Sequence, residues 1–168
     1  MTNKYKVAVV MGSDSDFPIL KKCIKILKEF SVETEVHVIS AHRTPSRAES
    51  LAKNAQAEGI GVIIAAAGKA AHLAGVLAAN TIVPVIGLPI HSSTLDGLDA
   101  LLSTVQMPKG VPVATVAING AENAALLAVQ ILSLAQPELK VKLQEYKDKM
   151  AQEVAEKDMM IKEEVKQI

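Results

Sequence analysis

The sequence predicts an α/β fold in which one parallel sheet is covered by helices on both faces. Short apolar runs rich in β-branched residues alternate five times with amphipathic or alanine-rich helical patterns. No two neighbouring runs are joined by a hairpin turn, so each connection carries a helix and the strands run parallel. A chain of 168 residues is long enough to bury such a core as one domain of ordinary size.

The first strand–helix unit starts at residues 6–11, KVAVVM, which are apolar on both faces as buried parallel strands are. The loop GSDSD follows this strand. Asp16 is the predicted N-cap of the next helix, Pro18 lies in its first turn, and apolar residues recur at helical spacing up to Phe30. This strand, polar loop and amphipathic helix set the pattern of the body.

The second unit has a predicted strand over residues 32–40, which ends in SAHRTP. Thr44 can cap the following helix and Pro45 can occupy its first position, while Gly59 suits the end of that helix. His37 shares one face of the alternating strand with two glutamates, which favours a structural role for it.

The last three units have predicted strands GVIIAAAG, PVIGLP and PVATVAI, and the helix of the fifth unit is predicted over residues 121–135. Each strand is followed by a loop of small and polar residues and then by a helical pattern. The five units together predict a doubly wound, three-layer αβα sandwich of the flavodoxin-like type.

The chain changes character after Pro137, where charged residues of both signs are concentrated. We therefore divide it into a body, residues 1–136, and a C-terminal amphipathic helix, residues 137–168. The apolar positions of that helix form a stripe at helical spacing: Leu139, Leu143, Tyr146, Met150, Val154, Ile161, Val165 and Ile168. A complete five-unit sandwich leaves no place for this stripe, so we expect it to pack on a neighbouring subunit. For the first two turns of the helix, packing against the body of the same chain is an equally good alternative.

Composition argues against several classes of function. Basic and acidic residues number 18 each and aromatic rings are few, so nucleic-acid binding is not expected. No apolar run is long enough to cross a membrane, and the first residues lack the pattern of a secretion signal. The single cysteine, Cys23, lies on the predicted core stripe of a helix. We therefore expect a buried thiol, no disulfide and a cytoplasmic location.

Known motifs for metal, nucleotide and nucleophile chemistry are missing from the sequence. No histidine or cysteine cluster has the spacing of zinc ligands, and neither a GxxxxGK[ST] loop nor a GxSxG elbow occurs. We therefore expect a reaction that uses no metal and no redox cofactor.

Polar residues collect in the loops after the predicted strands, where open parallel sheets bind ligands. In the first loop, Gly12 leaves its backbone open to a ligand, and the hydroxyls of Ser13 and Ser15 can reach anionic oxygens. Asp14 and Asp16 would repel a phosphate if both faced it. Asp16 is therefore expected either to accept from sugar hydroxyls or to cap the helix.

The second loop places a candidate acid–base group beside a candidate phosphate ligand. Arg43 offers a planar fork for phosphate, and the adjacent His42 is the side chain whose proton moves most easily near neutral pH. An equally good interpretation pairs Arg43 with a carboxylate such as Asp16 and leaves His42 hydrogen-bonded to the backbone.

The third and fourth loops contain further histidines. Gly68 and His72 lie among alanines that leave room for a small ligand, although His72 can equally cap the next helix. His91, after the fourth strand, is a weaker candidate.

Four motifs occur in order along the body: MGSDSD, SAHRTP, AGKAAHLAG and LLSTVQMPKGVPVATVAINGAENAALLA. Together they resemble the class I N5-carboxyaminoimidazole ribonucleotide mutase family of purine biosynthesis, over about residues 6–136. The resemblance implies a homo-octamer with C-terminal helices reaching onto neighbours. It also implies transfer of a carboxylate from the exocyclic nitrogen to carbon 4 of an aminoimidazole ribonucleotide, through decarboxylation and recapture of CO2 without a cofactor.

The resemblance also implies roles for particular residues. His42 matches the catalytic histidine, which gives a proton to the nitrogen and takes one from carbon 4. Arg43 matches an arginine expected on the phosphate, and the loop with Gly68 and His72 matches one that lines the CO2 pocket. The expected substrate-binding residues are Gly12, Ser13, Ser15, Asp16, Ser40, Arg43, Gly68 and His72.

The third motif departs from the family at two positions, because the family commonly has AGGAAHLPG. Lys69 therefore replaces a glycine and Ala74 replaces a proline. The Lys69 side chain either points to solvent or adds positive charge near an anionic substrate.

Other functions fit parts of the pattern. The class II form of the enzyme, which uses dissolved CO2 directly, is a close alternative, but SAHRTP and QMPKGVPVAT are more similar to class I. A noncatalytic flavodoxin-like module would need aromatic residues to stack on FMN, and only Phe17 lies near a strand-end loop. A phosphoacceptor receiver domain would need an aspartate where the third strand ends in AAAG.

Overall fold

A computed structural model describes residues 5–168 and contains one sheet of five parallel strands. The strands are β1 (Lys6–Met11), β2 (Thr34–Val38), β3 (Ile60–Gly68), β4 (Val85–Ile90) and β5 (Ala114–Thr115). Their order across the sheet is β2–β1–β3–β4–β5, which is the flavodoxin-like order. The predicted doubly wound sheet is confirmed.

Helices cover both faces of the sheet. They are α1 (Phe17–Glu29), α2 (Pro45–Asn54), α3 (Leu73–Ala79), α4 (Leu98–Val105), α5 (Ala121–Leu132) and α6 (Pro137–Val165). The α1 and α5 helices share one apolar core with alternate residues of the strands, and α2 and α3 share the other. Because successive strand residues point to opposite faces, Val9 belongs to the first core and Val10 to the second.

Both edge strands are shorter than predicted. The β2 strand covers Thr34–Val38 instead of residues 32–40, and β5 covers only Ala114–Thr115 instead of residues 112–118. Among the described residues, each edge strand pairs with a single neighbour, β2 with β1 and β5 with β4. An edge strand is therefore held from one side, and its ends leave the ladder where the loops turn away.

Three residues stand at helix N-termini as predicted but do not cap them. The side chains of Asp16, Thr44 and His72 make no capping hydrogen bond to α1, α2 or α3. The Thr44 hydroxyl instead accepts from the Ser40 amide at 3.0 Å and donates to the Ser40 carbonyl at 2.9 Å. These predicted caps are wrong, because the side chains face the loops at the end of the sheet.

The α6 helix packs on the body over its first turns only. Leu139 is buried, Tyr146 lies against Phe30 with ring centroids 5.8 Å apart, and the Lys142 ammonium donates to the Phe30 carbonyl at 3.0 Å. Beyond Met150 every residue is exposed. No helix within residues 5–168 has the length and apolar character needed to cross a membrane.

Candidate active site

A cavity of about 650 Å³ opens at the carboxyl ends of the strands. Within the described part of the chain, it gathers residues from the loops after β1, β2, β3 and β4. All nine residues singled out by the sequence line it: Gly12, Ser13, Ser15, Asp16, Ser40, His42, Arg43, Gly68 and His72. Parallel strands end at the same edge, so loops far apart in the sequence meet here.

The hydroxyls of the first loop hydrogen-bond to one another. Ser13 Oγ accepts from the Ser15 hydroxyl at 2.9 Å and from the Ser15 amide at 3.3 Å, and it donates to Asp14 Oδ1 at 3.2 Å. A Cβ on Gly12 would find only ordinary contacts, at 3.7 Å or more. Gly12 is therefore not required by packing within this chain, and its missing side chain leaves the backbone accessible from the cavity.

Asp16 is a buried carboxylate at the cavity, with 8% of its surface exposed. Burial raises the pKa of this carboxyl group above its ordinary value, and the neighbouring charge of Asp14 adds to the effect. The Ser13 amide and the Ser15 hydroxyl partly oppose the rise in pKa. Asp16 thus pays a desolvation cost at a position where a ligand hydroxyl could donate to it.

Arg43 is held by the loops and not by a carboxylate. Its Nη2 donates to the Gly12 carbonyl at 3.2 Å, and its Nε donates to the Ser40 hydroxyl at 3.4 Å. The Arg43 amide also donates to that hydroxyl, at 3.2 Å. The alternative of an ion pair between Arg43 and Asp16 is therefore wrong for this structure. No carboxylate among residues 5–168 pairs with this guanidinium, so its positive charge is available at the cavity.

The side chain of His42 meets His72 instead of the backbone. His42 Nε2 lies 2.8 Å from His72 Nδ1, and the two rings meet edge to face with centroids 5.0 Å apart. One ring must donate and the other accept, because a hydrogen bond between imidazoles needs one N–H and one lone pair. Two histidines 30 residues apart in the sequence therefore form one hydrogen-bonded pair at the cavity.

The third loop has a tight backbone and a left-handed residue. A Cβ on Gly68 would lie 3.3 Å from the Ile90 carbonyl oxygen, so glycine allows the β3 and β4 ends to approach closely. Lys69 has a φ of 56°. Glycine adopts this conformation without steric cost, so Lys69 carries a backbone strain that a glycine at this position would avoid.

Sequence reasoning missed Asn119, which fastens two of the loops. Its side-chain Oδ1 accepts from the His91 amide at 2.9 Å, and its backbone amide donates to the Pro89 carbonyl at 2.9 Å. Asn119 has a φ of 57°, a conformation that asparagine tolerates better than most residues. The asparagine in the ING loop after the fifth strand was the available signal. The weaker candidate His91 also lines the cavity, together with Ser92 and Ser93, which the sequence analysis did not single out.

The predictions for His37 and Cys23 concern side chains outside the cavity. His37 lies on β2, with Nε2 3.5 Å from Glu35 Oε2. Cys23 is fully buried on α1, and burial raises the pKa of its thiol to about 12. The predicted buried thiol is confirmed. Among residues 5–168 no group of three or more histidine, cysteine, aspartate or glutamate side chains could hold a metal ion.

A polar cavity at the strand ends of a doubly wound sheet is typical of α/β proteins that bind small molecules. The match to a protein family is specific. The family model described as AIR carboxylase matches residues 6–153, and the chain belongs to that family.

Curated relatives and solved structures agree with this assignment. The chain is 60% identical over 145 residues to N5-carboxyaminoimidazole ribonucleotide mutase of Pyrococcus abyssi, covering 86% of this chain and 83% of the relative. It is 55% identical over 162 residues to the mutase of Pyrococcus horikoshii, covering 96% and 92%. The crystal structure of Treponema denticola PurE superposes with a TM-score of 0.83 at 32% identity, covering 90% and 95%.

Proposed function

We propose that the protein is an N5-carboxyaminoimidazole ribonucleotide mutase, an isomerase of purine biosynthesis. It converts the N5-carboxylated ribonucleotide into 4-carboxy-5-aminoimidazole ribonucleotide. The observation that carries the proposal is the convergence of the strand-end motifs on one cavity, with the His42 ring at its edge. Relatives at 55% and 60% identity carry the name of this enzyme.

The substrate is an anionic ribonucleotide, and the cavity offers complementary groups for it. Arg43 binds the phosphate, because its guanidinium is anchored by Gly12 and Ser40 and pairs with no carboxylate in the described part of the chain. Asp16 accepts hydrogen bonds from ribose hydroxyls, which replace the water lost from the buried carboxylate. Ser13 and Ser15 exchange their mutual hydrogen bond for bonds to the ligand.

His42 moves the proton that the isomerisation requires. When the carboxylate leaves the exocyclic nitrogen as CO2, His42 supplies a proton to that nitrogen. Carbon 4 of the ring then attacks the trapped CO2, and His42 removes the proton from carbon 4, which restores aromaticity. The alanines of the cavity wall, Ala41, Ala67 and Ala70, leave space for CO2 near Gly68 and keep water away from it.

An assay of the purified protein tests this function directly. Conversion of N5-carboxyaminoimidazole ribonucleotide is measured beside conversion of aminoimidazole ribonucleotide plus bicarbonate without ATP. Faster conversion of the carboxylated substrate at low bicarbonate is expected. Preference for the second mixture would instead identify a carboxylase that uses CO2 directly, the activity after which the matching family is named. Absence of both activities would leave a noncatalytic binding module.

His42→Asn tests the proposed proton carrier. Turnover is expected to fall by about 10²- to 10⁴-fold, the usual contribution of acid–base catalysis, while substrate binding stays within roughly tenfold. His37→Asn is the matched control, because His37 lies on β2 away from the cavity. Substantial residual turnover in His42→Asn would contradict the assignment.

The enzyme functions as a homo-oligomer, and the octamer implied by the family resemblance is the expected assembly. Support comes from apolar side chains of α6 that this chain leaves uncovered, with Val154 65% and Val165 62% exposed. The α4 helix adds Leu98 and Leu102, each nearly half exposed. The expected location is the cytoplasm, in keeping with a single buried thiol at Cys23.

A further inference from the structure

Lys69 is a cation of the cavity that has no role in the proposed chemistry so far. It lies in the loop after β3, lines the cavity and is exposed there. No ion pair among residues 5–168 includes Lys69. Its ammonium charge is therefore available to a ligand in the cavity.

The backbone at Lys69 makes a side chain costly at this position. Its φ of 56° is in the left-handed region, where a Cβ crowds the following carbonyl oxygen and glycine alone is free of strain. Strained residues persist where the surrounding structure fixes them, and they concentrate at ligand sites. A lysine held at a cost in stability indicates that its side chain has a use that glycine could not serve.

The charged residues of the cavity fit a ligand with two anionic ends. Apart from the histidines, the charged residues that line it are Asp16, Arg43 and Lys69. The substrate of the proposed reaction carries a phosphate at one end and a carboxylate at the other. Since Arg43 serves the phosphate, Lys69 is the cation left for the carboxylate.

The order of the strands places the two cations on opposite sides of the cavity. Arg43 is fastened to the loops after β1 and β2. Lys69 comes directly after Gly68, which pairs with Ile90 of β4. In the order β2–β1–β3–β4, these positions lie about two strand spacings apart, roughly 10 Å. The ribose and the imidazole ring of the ligand occupy the space between the two cations.

We propose that Lys69 binds the carboxylate of the ribonucleotide, both before it leaves the exocyclic nitrogen and after it returns on carbon 4. This inference rests on the proposed mutase function and adds a specificity-determining residue to it. An ammonium group attracts an anionic carboxylate more strongly than neutral CO2. Lys69 therefore strengthens the binding of both carboxylated ribonucleotides and does not accelerate decarboxylation.

Titration calorimetry of the full chain with two inert ligands tests this role. The ligands are imidazole ribonucleotide with and without a carboxylate at carbon 4. Both lack the exocyclic amino group, so neither can undergo the isomerisation. The wild-type protein is expected to bind the carboxylated ligand more tightly. Lys69→Gln is expected to weaken the carboxylated ligand by roughly tenfold and the uncarboxylated ligand by less than about twofold.

Three further variants separate the charge of Lys69 from its backbone. Lys69→Arg keeps the charge and is expected to keep most of the preference for the carboxylated ligand. Lys69→Gly removes both charge and strain, so it should bind like Lys69→Gln and melt at a higher temperature than the wild-type protein. Lys22→Gln is the matched control, because Lys22 is exposed on α1 and does not line the cavity. Both of its affinities should stay within about twofold of the wild-type values.

The mutase assay gives a second readout. Lys69→Gln is expected to raise KM by about tenfold with kcat unchanged or higher. The reason is that the carboxylate loses its charge as it becomes CO2, so Lys69 stabilises the bound substrate at least as much as the transition state. A lower kcat with an unchanged KM would overturn the proposal, because Lys69 would then act on the chemical steps.

The remaining outcomes distinguish this inference from the proposed function. Equal weakening of both ligands in Lys69→Gln would assign Lys69 to the phosphate, and unchanged binding of both would remove it from the site. A loss confined to Lys69→Gly would assign the effect to the backbone, and a lower melting temperature of that variant would contradict the strain. Each of these results overturns the inference alone. A wild-type protein that binds neither ribonucleotide would overturn the proposed function and this inference together.

Discussion

The neighbouring helices α5 and α6 differ in how the molecule uses their apolar residues. Half of the 12 residues of α5 are buried, among them Ala124, Ala128 and Leu132. Of the 29 residues of α6, all of which the structure describes, Leu139 alone is buried. Both helices have apolar residues at helical spacing, but only α5 finds a full partner within the chain, in α1 and the sheet. An apolar stripe thus predicts which face of a helix needs cover, and the rest of the fold decides what covers it.

The largest expected effect breaks the uncovered stripe itself. In the double variant Val154→Asp/Ile161→Asp, two exposed apolar positions of α6 become charged. If copies of the chain cover the stripe, the mass of the assembly is expected to fall severalfold. The reason is that the interface would have to bury unpaired carboxylates, which is costly. Analytical ultracentrifugation measures the change. Gln152→Asp/Ala155→Asp adds the same charge away from the stripe and is expected to leave the assembly intact.

Truncation after Ala135 removes α6 entirely and tests the same interface. A lower assembly state is expected. No second copy covers α6 if the sedimentation coefficient of the truncated chain changes only as its lost mass requires. The same conclusion follows if the sedimentation coefficient of the double variant does not change.

The next effect compares two leucines that lie two residues apart. Leu132, the last residue of α5, is 3% exposed, whereas Leu134 in the link to α6 is 80% exposed. Leu132→Ala is expected to lower the free energy of unfolding by about 2–5 kcal/mol, since it leaves a cavity beside the sheet. Leu134→Ala should stay within about 0.5 kcal/mol. Urea unfolding at one fixed protein concentration measures both, and equal losses would contradict the contrast between body and link.

A smaller effect tests how closely α5 is packed. Ala128 has no exposed surface, so Ala128→Leu should overpack the core and cost about 1–3 kcal/mol of unfolding free energy. The matched substitution Ala155→Leu lies on the exposed part of α6 and should stay within about 0.5 kcal/mol. A neutral result at Ala128 would show that the core can yield at this helix.

The smallest effect compares Asp16, a carboxylate buried in the body, with Asp148, an exposed carboxylate on α6. Because burial raises the pKa of Asp16, the native state holds its proton more strongly than the unfolded chain does. The contribution of Asp16 to stability is therefore complete below the ordinary aspartate pKa and is lost as the pH rises through the raised value.

Asp16→Asn removes this loss. Its melting temperature is expected to exceed that of the wild-type protein at pH 7, and the difference should shrink as the pH falls below about 4. Asp148→Asn on α6 is the control, because this carboxylate is exposed and accepts from Gln144 at 2.8 Å. Its free energy of unfolding should stay within about 0.5 kcal/mol of the wild-type value at both pH values. A lower melting temperature for Asp16→Asn at pH 7 would mean that its hydrogen bonds outweigh burial.

Much of the site was predictable because each strand-end loop could be recognised separately. His42 and His72 were both placed at the carboxyl ends of strands, and parallel strands bring such ends to one edge. The distance between their rings was not predictable, because it depends on how the loops after β2 and β3 turn. The same holds for Arg43, whose interaction with the Gly12 carbonyl, rather than with Asp16, is a tertiary contact.

The sequence alone determined the number of strands, their parallel direction, the helices between them and the amphipathic helix after Pro137, because hydrophobic periodicity and turn residues act locally. Tertiary structure decided the rest. It shortened β5 to Ala114–Thr115, turned Asp16 and Thr44 away from their predicted capping roles, and joined His42 to His72. The physical reason is that a side chain with several local options takes the one left free after the sheet and its cores have packed.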